Sequence, residues 1–236
     1  MPEGFRTTQL TGLEARLVPY DWPWARENAD AIAAHWERRR ASRPAMFDGI
    51  VLLACAWEVR DGIARVDLFE ARYSQFIAYR DGGEFGGGVA NAFAAIVPWG
   101  ADGAVLVGEM GVHTANAGQL YFPCGTPDRD DVRGTVVDLA GSAEREFTEE
   151  TGLPLPEGAA GDWIFLEGEG QLAFLRPVRF PDPAEAIRAR AEAHRQAEDE
   201  PELASLRILR GPADIDPARM PGFARVYLAE AFGEGR

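Results

Sequence analysis

The residues with the clearest chemical signature are Arg145-Glu146-Phe147-Thr148-Glu149-Glu150-Thr151-Gly152-Leu153. On a helix turning about 100° per residue, Glu146, Glu149 and Glu150 share one face, at i, i+3 and i+4. Carboxylates crowded in this way repel one another unless a cation neutralises them. Mg²⁺ suits the role, because it takes oxygen ligands in octahedral geometry and usually keeps waters and substrate phosphates in its shell. Phe147, with Ala143 one turn earlier, faces the other way and can anchor the helix in a core. Arg145 lies four residues before Glu149 and can hydrogen-bond the carboxylates from the side.

Three glutamates on one face are by themselves more often a solvated charged surface. The whole string is rarer. It resembles the end of the Nudix box, R-E-U-x-E-E-x-G-U with U a bulky apolar residue, at every specified position. A chance match somewhere in a chain of this composition has odds of about one in a few thousand. The first half of the box, G-x5-E-x7, is less faithful. Phe122-Pro123-Cys124-Gly125 resembles the family's Pro-Gly-Gly lead-in, with Cys124 in place of the first glycine. Counting back from Arg145 puts Val137 where the box glutamate belongs, so the loop reads as about six residues longer than the pattern. Asp131 or Asp138 then substitutes for that glutamate, whose family role is mainly to support the arginine.

The resemblance implies the following roles. Glu149 and Glu150 hold Mg²⁺, with Mn²⁺ as a possible substitute, and Glu146 is a further ligand or the general base. Arg145 orients the carboxylates, and the backbone carbonyl of Cys124 completes the metal shell. Family members often bring another carboxylate from later in the chain, which points to Glu200 or Glu202. A second resemblance lies in Ala29–Arg38, Pro44–Gly49 and Tyr73–Phe76, which are similar to the front of the animal Nudix hydrolases that cleave UDP-sugars.

Several elements must position this helix. Asp138 can cap its start and Gly152 can end it. Asp21 and Pro23 open a first helix over 21–40 whose apolar face is Ala25, Ala29, Ile32, Ala33 and Trp36. Residues 50–59 and 63–72 read as strands joined by the Asp61-Gly62 turn, and a short helix over 74–80 follows. The run Asp81–Gly88 reads as a linker. Strands are expected over 92–99, 104–108, 119–123, 163–166, 171–180 and 205–209, with helices from Asp182-Pro183 to about Ala197 and over 221–232. This is an α/β pattern, and the resemblance implies a Nudix α/β/α sandwich with a mixed sheet. It places an N-terminal helix-and-hairpin extension over residues 1–88 and a Nudix hydrolase domain over 89–236.

Outside the box, His113 or Asn116 can contact a phosphate or sugar from the loop 111–118, although loop position alone favours plain exposure. His35 and His194 read as structural or solvent-facing. Trp22, Trp24, Phe47 and Tyr73 can stack on a base but more often such residues are core. The chain has 236 residues and a net charge of -14, with arginine as its only cationic residue type. That surface disfavours nucleic acid and anionic membranes, while a bound divalent ion still permits a phosphate ligand. No apolar run approaches the roughly 20 residues needed to span a bilayer. Two distant cysteines and the absence of a signal-peptide pattern point to the cytoplasm.

The expected activity is Mg²⁺-dependent hydrolysis of a diphosphate linkage in a small-molecule nucleotide conjugate, a nucleotide sugar being one such substrate. The alternative is a Nudix-fold module that binds or senses a nucleotide without turnover. An ordinary structural protein with a charged helix is the third reading.

Overall fold

The computed structural model describes residues 4–44, 46–84, 88–114, 116–159 and 161–233. Twelve strands and six α-helices are distinguished among them. The strands are β1 (Arg6–Leu10), β2 (Gly12–Leu17), β3 (Ile50–Arg60), β4 (Ile63–Arg72), β5 (Asn91–Trp99), β6 (Val105–Met110), β7 (Leu120–Tyr121), β8 (Val132–Arg133), β9 (Val136–Val137), β10 (Trp163–Gly168), β11 (Gln171–Arg179) and β12 (Leu203–Leu209). The helices are α1 (Pro23–Glu27), α2 (Ala29–Ser42), α3 (Tyr73–Asp81), α4 (Leu139–Thr151), α5 (Ala184–Arg195) and α6 (Gly222–Gly233).

A seven-stranded sheet runs β1-β10-β11-β5-β6-β12, with β7 paired to β6. It is mixed, since β11 and β5 are parallel while β10 and β11 are antiparallel. Alternation along β5 separates its two covers. Phe93 meets the ring of Phe223 on α6, and Trp99 donates to the Tyr227 hydroxyl of the same helix at 3.0 Å. The opposite face carries Ile96, in register with Arg176 of β11, and Arg176 reaches Glu144 on α4. Helix α5 packs beside α4, where His194 bonds the Glu149 carbonyl. The sheet is therefore sandwiched, with α4 and α5 on one side and α6 on the other.

A second sheet of five strands runs β3-β4-β2-β9-β8. Its hairpin turns at Asp61 and Gly62, with φ of 53° and 76°, the left-handed pair that a tight hairpin between right-twisted strands requires. Leu52, Ala54 and Leu68 face the main core, whereas Val51, Leu53 and Phe69 face a satellite core with Trp22, Ile32 and Phe76.

The N-terminal portion differs from the sequence expectation in several places. Two strands precede the first helix, and they tie residues 1–88 into both sheets: β1 pairs with β10 and β2 pairs with β9. The helix expected over 21–40 is broken at Asn28, whose φ of -108° interrupts it. The break resets the helical phase, so Ile32 and Trp36 are buried while Ala29 and Ala33 are exposed. Trp22, not Asp21, occupies the capping position, and Asp21 instead pairs with Arg26. Within the run Asp81–Gly88, Phe85-Gly86-Gly87 lie outside the described residues, while Asp81 closes α3.

Helix α4 is fixed at both ends and along its apolar stripe. The Asp138 side chain accepts from the Gly141 amide at 2.8 Å, and Gly152 ends the helix at φ 65° with the His194 ring packed where a side chain would start. Ala143 and Phe147 are fully buried beneath it, the Phe147 ring meeting Phe180. Phe147→Ala should therefore destabilise the protein by about 3–5 kcal/mol, a large part of the roughly 5–15 kcal/mol available to a typical domain. Chemical denaturation measures it; a loss under about 1 kcal/mol would show that the stripe does not anchor the helix.

Candidate functional site

Helix α4 sets the site by presenting Glu146, Glu149 and Glu150 at different depths. Glu149 is exposed, Glu146 is half-buried and Glu150 is 8% exposed. One Glu150 oxygen, Oε2, is buried without a hydrogen-bond partner. Burial, then the nearby charges of Glu202, Glu146, Glu149 and Glu198, push its carboxyl up to about 9. Burial likewise raises Glu146, with Glu149 and Glu202 adding to the rise and Arg145 opposing it. Glu202 thus joins the acidic cluster from the bend just before β12. Glu200 is exposed.

Arg145 is the counterweight. It donates to Glu146 at 2.8 Å, to Glu149 at 3.2 Å and to Asp131 at 3.0 Å. Burial works against its charge, but Asp131, Glu146 and Glu149 outweigh that and hold the guanidinium firmly protonated. Of the two aspartates offered as support for this arginine, Asp131 makes the bond and Asp138 caps the helix. Asp131 is itself buried, and its second oxygen accepts from the Asp128 amide at 3.0 Å. The lengthened loop before α4 contains a 3-10 turn at Arg129–Asp131 and then the β8–β9 hairpin, which turns at Gly134 and docks on β2. The hairpin accommodates the extra chain while Asp131 keeps contact with Arg145.

The Cys124-Gly125 peptide lies against the same carboxylates. A side chain built at Gly125 would start 3.1 Å from a Glu146 oxygen, so the absence of one lets backbone and carboxylate approach. The Cys124 thiol is raised well above its ordinary range by burial and by Glu150 and Glu146.

A cleft of about 790 Å³ opens from this point. Cys124, Gly125 and Glu202 line one part, Tyr73, Phe76 and Arg80 of α3 another, and Asn91, Gln171 and Phe223 a third. His113 and Asn116 both line the cleft, and the Asn116 amide also donates to the Tyr121 hydroxyl at 2.9 Å. His35 pairs with Asp81 at 3.1 Å and His194 sits between α4 and α5, so both serve the scaffold. Trp22 is core and Trp24 stacks beside it, Tyr73 lines the cleft, and Phe47 is exposed. Arg80, Asn91 and Gln171 escaped sequence reasoning, because only the folded sheet brings them to one wall.

The residues fit a hard divalent cation. An orphaned buried carboxylate oxygen, four further acids close enough to act on it, and a backbone turn opened by glycine supply only oxygen donors where positive charge is needed. Among the described residues no three acidic, imidazole or thiol groups are already gathered at metal-binding spacing. Arg145 accounts for part of this by drawing Glu146 and Glu149 towards itself.

No family model matches the chain, and no curated protein matches it. Solved structures do show likenesses. The MutT protein from Methanosarcina mazei Go1 is 14% identical and covers 62% of this chain and 97% of its own, with a TM-score of 0.40. RenU, a Nudix hydrolase from M. smegmatis, is 18% identical and covers 58% of this chain and 79% of its own, with a TM-score of 0.35. At these scores the two are resemblances, and neither decides fold or activity.

The raised Glu150 carboxyl has a consequence for stability. Between the ordinary carboxylate range and about 9, the folded protein holds a proton on Glu150 that the unfolded chain has released. The folded state then binds more protons, so stability falls as pH rises through that window. In EDTA, wild-type stability should decline between about pH 5.5 and about pH 8.5 more steeply than that of Glu150→Gln, which cannot ionise there. Equal slopes in urea denaturation would contradict the burial of an ionisable group at this position.

Proposed function

We propose that this chain is a Nudix-type hydrolase that cleaves a diphosphate linkage in a nucleoside diphosphate conjugate with the help of Mg²⁺ or Mn²⁺. The observation that carries the reading is the unpartnered, buried Glu150 oxygen amid Glu146, Glu149 and Glu202, on the helix that matches the Nudix box. In this reading residues 89–236 carry the hydrolase domain, and residues 1–88 are the extension that walls the far side of the cleft.

Glu149 and Glu150 would hold the metal, Glu146 would be a further ligand or take the proton of the attacking water, and the Cys124 carbonyl would complete the shell. When bound, such an ion neutralises phosphoryl oxygens and lowers the pKa of a coordinated water. Arg145 acts as a positioning residue. Its bonds to Glu146 and Glu149 fix their carboxylate planes, and its bond to Asp131 fixes the arginine in turn. The cleft bordered by α3 receives the part of the substrate beyond the diphosphate.

Glu150→Gln keeps the side chain's shape and removes its charge. It should lower turnover by about 100-fold or more while abolishing the rise in melting temperature that Mg²⁺ or Mn²⁺ gives the wild type. A folded variant with near-wild-type turnover would sink the assignment, and nucleotide binding without turnover in the wild type would favour the sensing module.

The arginines near the box argue against a triphosphate substrate. Arg129 is held bidentately by Glu70, Arg133 bonds the Asp130 and Val132 carbonyls, and Arg145 is occupied by three acids. Arg80 is the one cationic residue among the described residues lining the cleft. A third phosphate would find little positive charge there. Steady-state kinetics should give kcat/KM for UDP-glucose or ADP-ribose at least about tenfold above that for any nucleoside triphosphate; the opposite order would refute this substrate class.

A further inference from the structure

We propose that Asn91 and Gln171 form an amide pair that reads the hydroxyls of a sugar ring bound in the cleft. The inference deepens the proposed function, because it names what the wall away from the acids recognises.

The two residues open adjacent parallel strands and lie directly in register. Residues in register on neighbouring strands point to the same face, with their backbones about 5 Å apart. Asn91 is two residues before Phe93, so both side chains share the face where Phe93 meets Phe223. Both amides line the cleft together with Phe93, Phe223 and the Cys124-Gly125 turn. The Asn91 Oδ1 and Gln171 Oε1 atoms are each buried without a hydrogen-bond partner.

Two amide oxygens without a protein partner beside an aromatic pair leave hydrogen-bonding capacity at the cleft wall that the protein itself does not use. A ligand that supplies two neighbouring donors uses it. The diphosphate cannot do so, because it offers only acceptors. Ring hydroxyls match better, since each both donates and accepts and so pairs with either end of an amide. The aromatic residues beside the amides suit the apolar face of the same ring. The wall is also nearly free of charge: Arg80 and Glu202 are the only charged residues lining the cleft among those described.

The sugar can be the nucleoside ribose or the group beyond the diphosphate, and the test separates them. Asn91→Leu/Gln171→Met keeps bulk and removes both amides. Affinities for UDP-glucose, UDP and 2′-deoxy-UDP are measured by calorimetry with Ca²⁺ in place of Mg²⁺, and the ligand-free melting temperatures are recorded. The double variant should lose about tenfold or more in affinity for the ligand bearing the recognised sugar. It should change by less than about twofold for the ligand lacking it. A loss confined to UDP-glucose assigns the distal sugar, and a loss shared by UDP-glucose and UDP but absent with 2′-deoxy-UDP assigns the ribose. The ligand-free melting temperature should hold or rise, because buried unpaired acceptors are removed. The single variant Gln171→Met, expected to lose about threefold, gives the same pattern if the double variant does not fold. Equal losses for all three ligands, or no loss, overturn the amide pair alone, as does a fall in melting temperature without selectivity. Failure of the wild type to bind any of the three overturns the amide pair as a reader of these sugars, and the kinetic comparison that includes ADP-ribose decides the proposed function separately.

Discussion

Negative charge is concentrated at the end of α4 that least tolerates it. Glu146, Glu149 and Glu150 occupy the C-terminal half of the helix, where the aligned peptide dipoles already place partial negative charge, and the last turn carries no basic residue. At 4 Å, two like charges repel by about 4 kcal/mol in a partly buried setting, against about 1 kcal/mol in water. Left to itself, such a helix end frays or its acids turn to solvent. Three features prevent that: the buried Phe147, the glycine stop at Gly152 with His194 packed over it, and the bond from His194 to the Glu149 carbonyl. The scaffold's packing holds the acids together, and the electrostatic cost is left for a cation to relieve.

The two sheets turn that local arrangement into a site with a second wall. Asp131 depends on a loop whose hairpin is docked on β2, and β2 in turn pairs in parallel with β4. Strand β3 reaches the same region, since the Leu52 amide donates to the Pro127 carbonyl and Ala54 bridges Ala90 at the start of β5. A displacement of the first 88 residues would therefore disturb both the support of Arg145 and the shape of the cleft. The shape of the cleft and the orientation of the carboxylates share one mechanical frame.

How much of this was legible in the sequence follows from how local each feature is. Helix α4 was readable because its cap, its stripe and its glycine stop all lie within fifteen residues, and the stripe repeats at the helical period. The β3–β4 hairpin was readable for the same reason, from Asp61-Gly62 between apolar runs. Strands β1 and β2 were not. RTTQL carries little apolar alternation, GLEARL alternates only over the short span Leu13, Ala15 and Leu17, and the partners of both lie far along the chain. The choice between Asp131 and Asp138 turned on a hairpin that lifts Asp138 to the helix start and leaves Asp131 beneath Arg145. Asn91 and Gln171 are eighty residues apart in sequence, and only the parallel pairing of β5 with β11 makes them neighbours.

The distribution of arginines explains how a chain of net charge -14 can suit a phosphate ligand. Its guanidinium groups near the site are largely spent on the scaffold: Arg129 on Glu70, Arg145 on Asp131 and two glutamates, Arg176 on Glu144 and across the Trp163 ring. Fixed ion pairs of this kind hold elements in place but offer little charge to a substrate. A site supplied with its own arginines would attract anions whether or not they were substrates. A site that presents carboxylates repels free phosphate, and a divalent ion held there would supply the missing positive charge. On the proposed function, anion binding would depend on the metal, and the uncharged amides and aromatic rings along the cleft would distinguish one diphosphate conjugate from another.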